Sequence, residues 1–197
     1  MTLPDEREAI LRCQRGDVDG LQSLFELHRL AVLRTAYGII GSGHIAEDVT
    51  QQVFVELFRA IRRFDPNRPF APWLYRIVVN ISLKEVRRRD HRNLPLEEAA
   101  DVPSLDPLPD LIAEESEARR IVWAAIQRLS PKQRAVVVLR YYHGFGEAEM
   151  AVALGCPRGT VKSRLHSALR QLEFLLRDSK KGESVRERGR GTPGPKR

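Results

Sequence analysis

Arg158, Thr160, Lys162, Ser163, Arg164 and His166 fall within nine residues of one another, and no acid follows them before Glu173. They are cations and hydrogen-bond donors, with no partner arranged to make any of them a nucleophile. Such a row suits contact with a polyanion: an arginine can span a guanine edge, and a lysine serves as a point charge near phosphate. A second row of donors, Arg76, Asn80, Lys84 and Arg88, recurs every four residues and is joined by Arg87 and Arg89. A third group, Asp48, Gln51 and Gln52, is acidic and amide-bearing, with Phe54 at its border as a candidate interface anchor. All three groups offer recognition rather than bond-making. No Ser/His/Asp set, metal-ligand spacing or phosphate loop is present, and His28, His44, His91, His143 and His166 share no ligand spacing. No catalytic residue, metal or cofactor is expected.

The first row needs a helix to carry it. Residues 145–176 read as two helices joined by a tight turn. Gly146 suits an N-cap, Glu147 and Glu149 suit the first turn, and Gly155 suits the left-handed residue that ends a helix. Pro157 suits the first position of the next helix. Val161, Leu165, Leu169 and Leu172 then form its inward stripe. This is the pattern of a helix-turn-helix whose second helix enters the major groove. The same spacing also describes a plain helical hairpin with a solvated basic face.

The second and third rows need helices in the first half. Residues 5–15 and 17–40 read as helices, with Asp17 as a cap and Gly41-Ser42-Gly43 as a stop. From His44 to Ile61 an apolar stripe opposes the face bearing Asp48, Gln51 and Gln52, a face fit for docking or simply for solvent. RFDPNRPFAPW forms a rigid loop, read either as a connector or as a rim and pocket for an unstacked base. Trp73 opens the helix bearing Asn80. Asparagine is a poor residue mid-helix, a local cost that function or packing must explain.

The chain has 197 residues, a net charge of +7 and 42% hydrophobic content, enough for a core and suited to an acidic partner. Its two cysteines, Cys13 and Cys156, give no disulfide framework, which implies a reducing compartment. No signal-like or membrane-spanning run appears, so a soluble cytoplasmic protein without membrane insertion is expected. No strand-like alternation appears in the first half, and the Val136–Val138 run follows a strong Ser130-Pro131-Lys132-Gln133 cap. The expected fold is all-α. Two helical domains, 5–90 and 114–176, flank a flexible acidic linker at 91–113, and 177–197 form a disordered basic tail.

Two separated blocks, AEDVTQQVFVELFRAIRRFD…WLYRIVVN…RRR and LSPKQRAVVVLRYYHGFGEAEMAVALGCPRGTVKSRLHSAL, resemble the two domains of bacterial RNA polymerase sigma factors of the extracytoplasmic-function (ECF) group. The resemblance covers about residues 5–176. It implies that Asp48, Gln51, Gln52 and Phe54 dock on the polymerase. It also implies that the loop from Phe64 to Phe70, with Asn80 and Arg87–Arg89, opens and reads the −10 promoter element. Lys162, Ser163, Arg164 and His166 would read the −35 element. The linker is similar to the segment that threads the RNA-exit path, and an anti-sigma partner is implied. Lys84, beside Glu85, stands where many members have Asp, and Ser167 where many have Arg, so promoter preference is expected to differ. The rival reading is an autonomous helix-turn-helix regulator, which would need a dimer seam that the first half does not offer.

Overall fold

Asp5 opens the first helix by accepting from the Arg7 amide, and Glu6 and Glu8 sit in its first turn. Asp17 repeats the device for the second helix, accepting from the Asp19 amide at 2.9 Å. Asp17 also takes Arg12 Nε at 2.7 Å, and this hydrogen bond holds its carboxyl below the usual range. Left-handed glycines end the chain's turns where expected, with Gly41 at φ 86°.

The computed structural model describes residues 5–91 and 117–188, with 117, 119 and 178–188 as backbone only. Among them are eight α-helices and one 3-10 turn. The first half holds α1 (Glu6–Gln14), α2 (Val18–Ile40), α3 (Gly43–Ala60), a 3-10 turn (Ile61–Arg63) and α4 (Phe70–His91). The second holds α5 (Glu117–Gln127), α6 (Pro131–Tyr141), α7 (Glu147–Leu154) and α8 (Arg158–Arg188). The all-α reading with a C-terminal helix-turn-helix is confirmed. Residues 92–116, nearly all of the expected linker, and 189–197 lie outside the described residues.

Three boundaries differ from the sequence reading. Helix α4 starts at Phe70 rather than Trp73, because Pro72 falls in the first turn, where its missing N–H has no intrahelical partner to lose. Helix α8 starts at Arg158, with the Pro157 carbonyl accepting from the Val161 amide at 3.1 Å. It then continues to Arg188, so residues 177–188, expected to be disordered, are helical. Its inward face also differs. Val161, Ala168 and Leu175 are buried, whereas Leu169 is 38% exposed.

The buried residues of both halves join in one apolar cluster, from Ala9 and Leu24 through Leu74 and Val78 to Leu139, Met150 and Val161. Helix α4 is therefore covered on two sides. It packs on α2 and α3, and also on α6 and α7. Tyr75, Val79 and Ser82, spaced i, i+4, i+7, make up a second buried stripe on it. Helix α2 meets α6 so closely that a Cβ on Gly38 would lie 2.7 Å from Val138 Cγ2. The Tyr37 ring stacks on Trp123 of α5 with centroids 4.8 Å apart.

Candidate nucleic-acid interface

Helix α7 begins at Gly146, whose amide donates to Glu149 Oε2 at 2.8 Å. It ends at Gly155, in the left-handed region at φ 60°. Cys156 N–H donates back to the Ala151 carbonyl at 3.1 Å, and the turn delivers α8. Arg158, Lys162, Ser163 and His166 are exposed, while Thr160 and Arg164 are half-buried. Val161, Met150 and Ala153 are fully covered, which fixes the rotation of this helix. Gln133 completes the capping box of α6 with Ser130, and its Nε2 donates to Ser167 Oγ at 3.3 Å. Ser167 thus ties α8 to α6. Among the described residues no carboxylate pairs with Arg158, Lys162 or Arg164, so this face keeps its full charge.

Asn80, Lys84, Arg87 and Arg88 are all exposed on α4. Arg88 is already engaged: Nε reaches Glu85 Oε2 at 2.8 Å and its terminal nitrogen reaches Oε1 at 2.7 Å. Glu85, on the preceding turn, thus takes the bidentate fork that a phosphate would need.

Asp48, Gln51 and Gln52 of α3 line one groove of about 800 Å³ with Asn80 and Lys84 of α4. Residues expected to serve the polymerase and the DNA are thus neighbours. Phe54 is not among them. It is 5% exposed and meets Phe25 of α2 edge-on at 4.8 Å, so it is a core residue and not a surface anchor. On the helical wheel Phe54 follows Thr50 and precedes Leu57, both buried, whereas Val55 follows Gln51 and Gln52 outward. Val55, 51% exposed in the groove wall, is the apolar residue on that face. The signal for it was present, as a valine one helical turn from Gln51 and beside Glu56.

The loop's aromatic rings also point inward. Phe64 and Phe70 are buried and pack against each other and against Trp73 at centroid distances of 4.8–5.6 Å. Gln14 clamps the loop base, donating to the carbonyls of Ile61 at 2.9 Å and Phe64 at 2.7 Å. Only the tip, 65–69, presents itself to solvent, so a base could not stack on Phe64 or Phe70.

Residues 24–92 match the Sigma-70 region 2 family and residues 119–172 match Sigma-70, region 4. SigE of Mycolicibacterium smegmatis, an ECF RNA polymerase sigma factor, is 39% identical over 82% of this chain and 64% of its own length. SigL of Mycobacterium tuberculosis, also an ECF RNA polymerase sigma factor, is 30% identical over 80% of this chain and 89% of its own. The chain belongs to the ECF sigma factor family. The solved structure of CnrH in complex with the cytosolic domain of CnrY superposes with a TM-score of 0.65 and 26% identity, covering 88% of this sigma factor and 99% of CnrH. The groove between α3 and α4 lies within region 2, and the unpaired cations of α8 lie within region 4. The chain spans about two thirds of SigE's length. Among the described residues no helix is long and apolar enough to cross a membrane.

Proposed function

We propose that this chain binds core RNA polymerase through the α3 side of the groove and directs it to promoters without covalent chemistry of its own. Asn80, Lys84 and Arg87 on α4 face the −10 element, and Lys162, Ser163, Arg164 and His166 on α8 face the −35 element. The observation that carries this reading is the shared groove, because it sets the docking residues beside Asn80. Protein contact and DNA contact can then form together. A cytoplasmic location follows from these partners. An anti-sigma partner belongs to the same reading, CnrH having been solved with a protein partner of its own. The autonomous-regulator alternative predicts a tight footprint by the free protein. The present reading predicts one only with polymerase.

The test is a pull-down with core polymerase beside thermal melts. Val55→Asp, which puts a charge where an apolar contact is expected, should weaken binding at least tenfold. Asp48→Ala and Gln52→Ala should each weaken it less. None should shift the melting temperature appreciably, since all three side chains are exposed. Undiminished binding by Val55→Asp would sink the docking assignment.

Glu85 offers a separate check. Glu85→Gln frees the Arg88 guanidinium, so promoter binding by the reconstituted holoenzyme should tighten. Its salt dependence should steepen by about one phosphate contact. An unchanged slope would show that Arg88 does not face phosphate.

A further inference from the structure

Helix α1 carries none of the residues assigned to polymerase or promoter, yet it is fastened along the loop that leads into α4. Gln14 spends both hydrogens of its amide on that loop, donating from one nitrogen to the Ile61 carbonyl at 2.9 Å and the Phe64 carbonyl at 2.7 Å. Phe64 has already turned to extended backbone, at φ −75° and ψ 133°, so its carbonyl has no helical partner to meet. Seven residues before Gln14, Arg7 Nη1 donates to the Pro66 carbonyl at 3.3 Å. Positions 7 and 14 lie two turns apart on one face, about 10 Å along the axis. Carbonyls from the base of the loop to its tip are thus tied to one face of one helix.

That helix is a firm support. Ala9, Ile10 and Cys13 bury its other side. It lies so close on α2 that a Cβ on Gly20 would stand 2.6 Å from the Cys13 backbone nitrogen. Arg12 closes the corner between the two helices on Asp17 at 2.7 Å and Asp19 at 3.2 Å. The tip of the loop has no such packing of its own, since Asp65, Asn67, Arg68 and Pro69 are exposed. It is a turn closed by Asp65, whose carbonyl accepts from the Arg68 backbone N–H and whose carboxylate accepts from the Asn67 backbone N–H, both at 3.0 Å. Arg68 Nε lies 3.5 Å from the same carboxylate. Among the described residues nothing engages the side-chain amide of Asn67, which keeps a donor and an acceptor for a base edge.

We propose that α1 is a splint for this loop, and that Gln14 is a positioning residue for base selection by Asn67 at the −10 element. Gln14 fixes the base of the loop, Arg7 steadies its tip, and Asn67 meets the nucleobase from the pose they set. A reading group on a loop is only as precise as the support of that loop. This rests on the reading of α4 given above, and on the loop before it meeting the same promoter element.

Gln14→Met keeps the length of the side chain and removes its donors, and Gln14→Lys restores a donor at similar reach. In the free chain, amide hydrogen exchange over residues 61–70 should quicken about fivefold or more in Gln14→Met and return toward the parent rate in Gln14→Lys. Unchanged exchange in Gln14→Met would overturn the splint. Holoenzyme reconstituted with each protein is then compared on a promoter and on templates with single bases changed in the −10 element. Gln14→Met should reduce discrimination at one −10 position about fivefold, with core-polymerase binding and −35 discrimination unchanged, and Gln14→Lys should recover most of it. Arg7→Ala loses an exposed bond, so it should act in the same direction by about twofold, and it carries the test if Gln14→Met melts early. In an Asn67→Ala chain, where the reader is gone, Gln14→Met should cost no further discrimination. Losses that add in full would overturn the positioning role. Faster exchange with unchanged discrimination at every −10 position would overturn base selection by the loop while leaving the splint, so failure of the promoter reading and failure of the support are told apart.

Discussion

Phe54→Ala should lower the free energy of unfolding by about 3–5 kcal/mol, the largest single effect expected of any substitution on α3. The ring is 5% exposed and loses its edge-on contact with Phe25. The truncation also leaves a cavity between α2 and α3 that fixed helices cannot fill. That loss is a large share of the 5–15 kcal/mol that typically holds a domain. Denaturant melts measure it directly. Residual core-polymerase binding, corrected for the folded fraction, should stay close to that of the parent protein. A Phe54→Ala variant that melts normally but fails to bind would return Phe54 to the surface role its neighbours suggested.

Arg164→Ala should cost about 1–3 kcal/mol at the preferred −35 sequence and flatten preference at one base position. Arg164 is half-buried beside Leu165, so packing restricts where its guanidinium points. A planar fork held in one direction is suited to a guanine edge. Lys162 is exposed, and its long stem is free to follow the backbone. Lys162→Ala should weaken all sequences nearly alike and remove about one phosphate contact from the salt slope. The measurement is holoenzyme binding over a salt series on matched and single-base-changed templates. If Lys162→Ala alters base preference while Arg164→Ala loses affinity uniformly, the two roles are exchanged.

Local chemistry was readable from the chain. Caps at Asp17, Ser130 and Gly146 and the left-handed turns at Gly41 and Gly155 stand where the residue types place them. Helix type held even through Val136–Val138, because the capping box and the neighbouring helices outweigh β propensity. Rotations of tens of degrees were harder to read. Phe54 and Val55 are adjacent and both apolar, and the buried Thr50 and Leu57 one turn away are what set Phe54 inward against Phe25. Leu169 loses its expected place to Ala168, because a close approach of helices favours the smaller residue over the more hydrophobic one. The packing of one half on the other was invisible for a different reason. The stripe Tyr75, Val79, Ser82 lies beside Arg76 and Asn80, and a single apolar face had already accounted for α4. Contacts between residues a hundred positions apart, such as Thr35 with His143, leave no periodic signal at all.

The two cysteines sit on opposite sides of this organisation. Cys13 is buried within the first half, where burial also raises its thiol pKa. Cys156 is half-buried in the turn beside α4. Their alkylation rates therefore report two different states of one molecule, the folded chain and an opening of its first half. Cys156, already half-exposed, reacts from the folded chain, and Cys13 only when the first half itself opens. The ratio of the two rates is a built-in clock, legible by mass spectrometry without any engineered label.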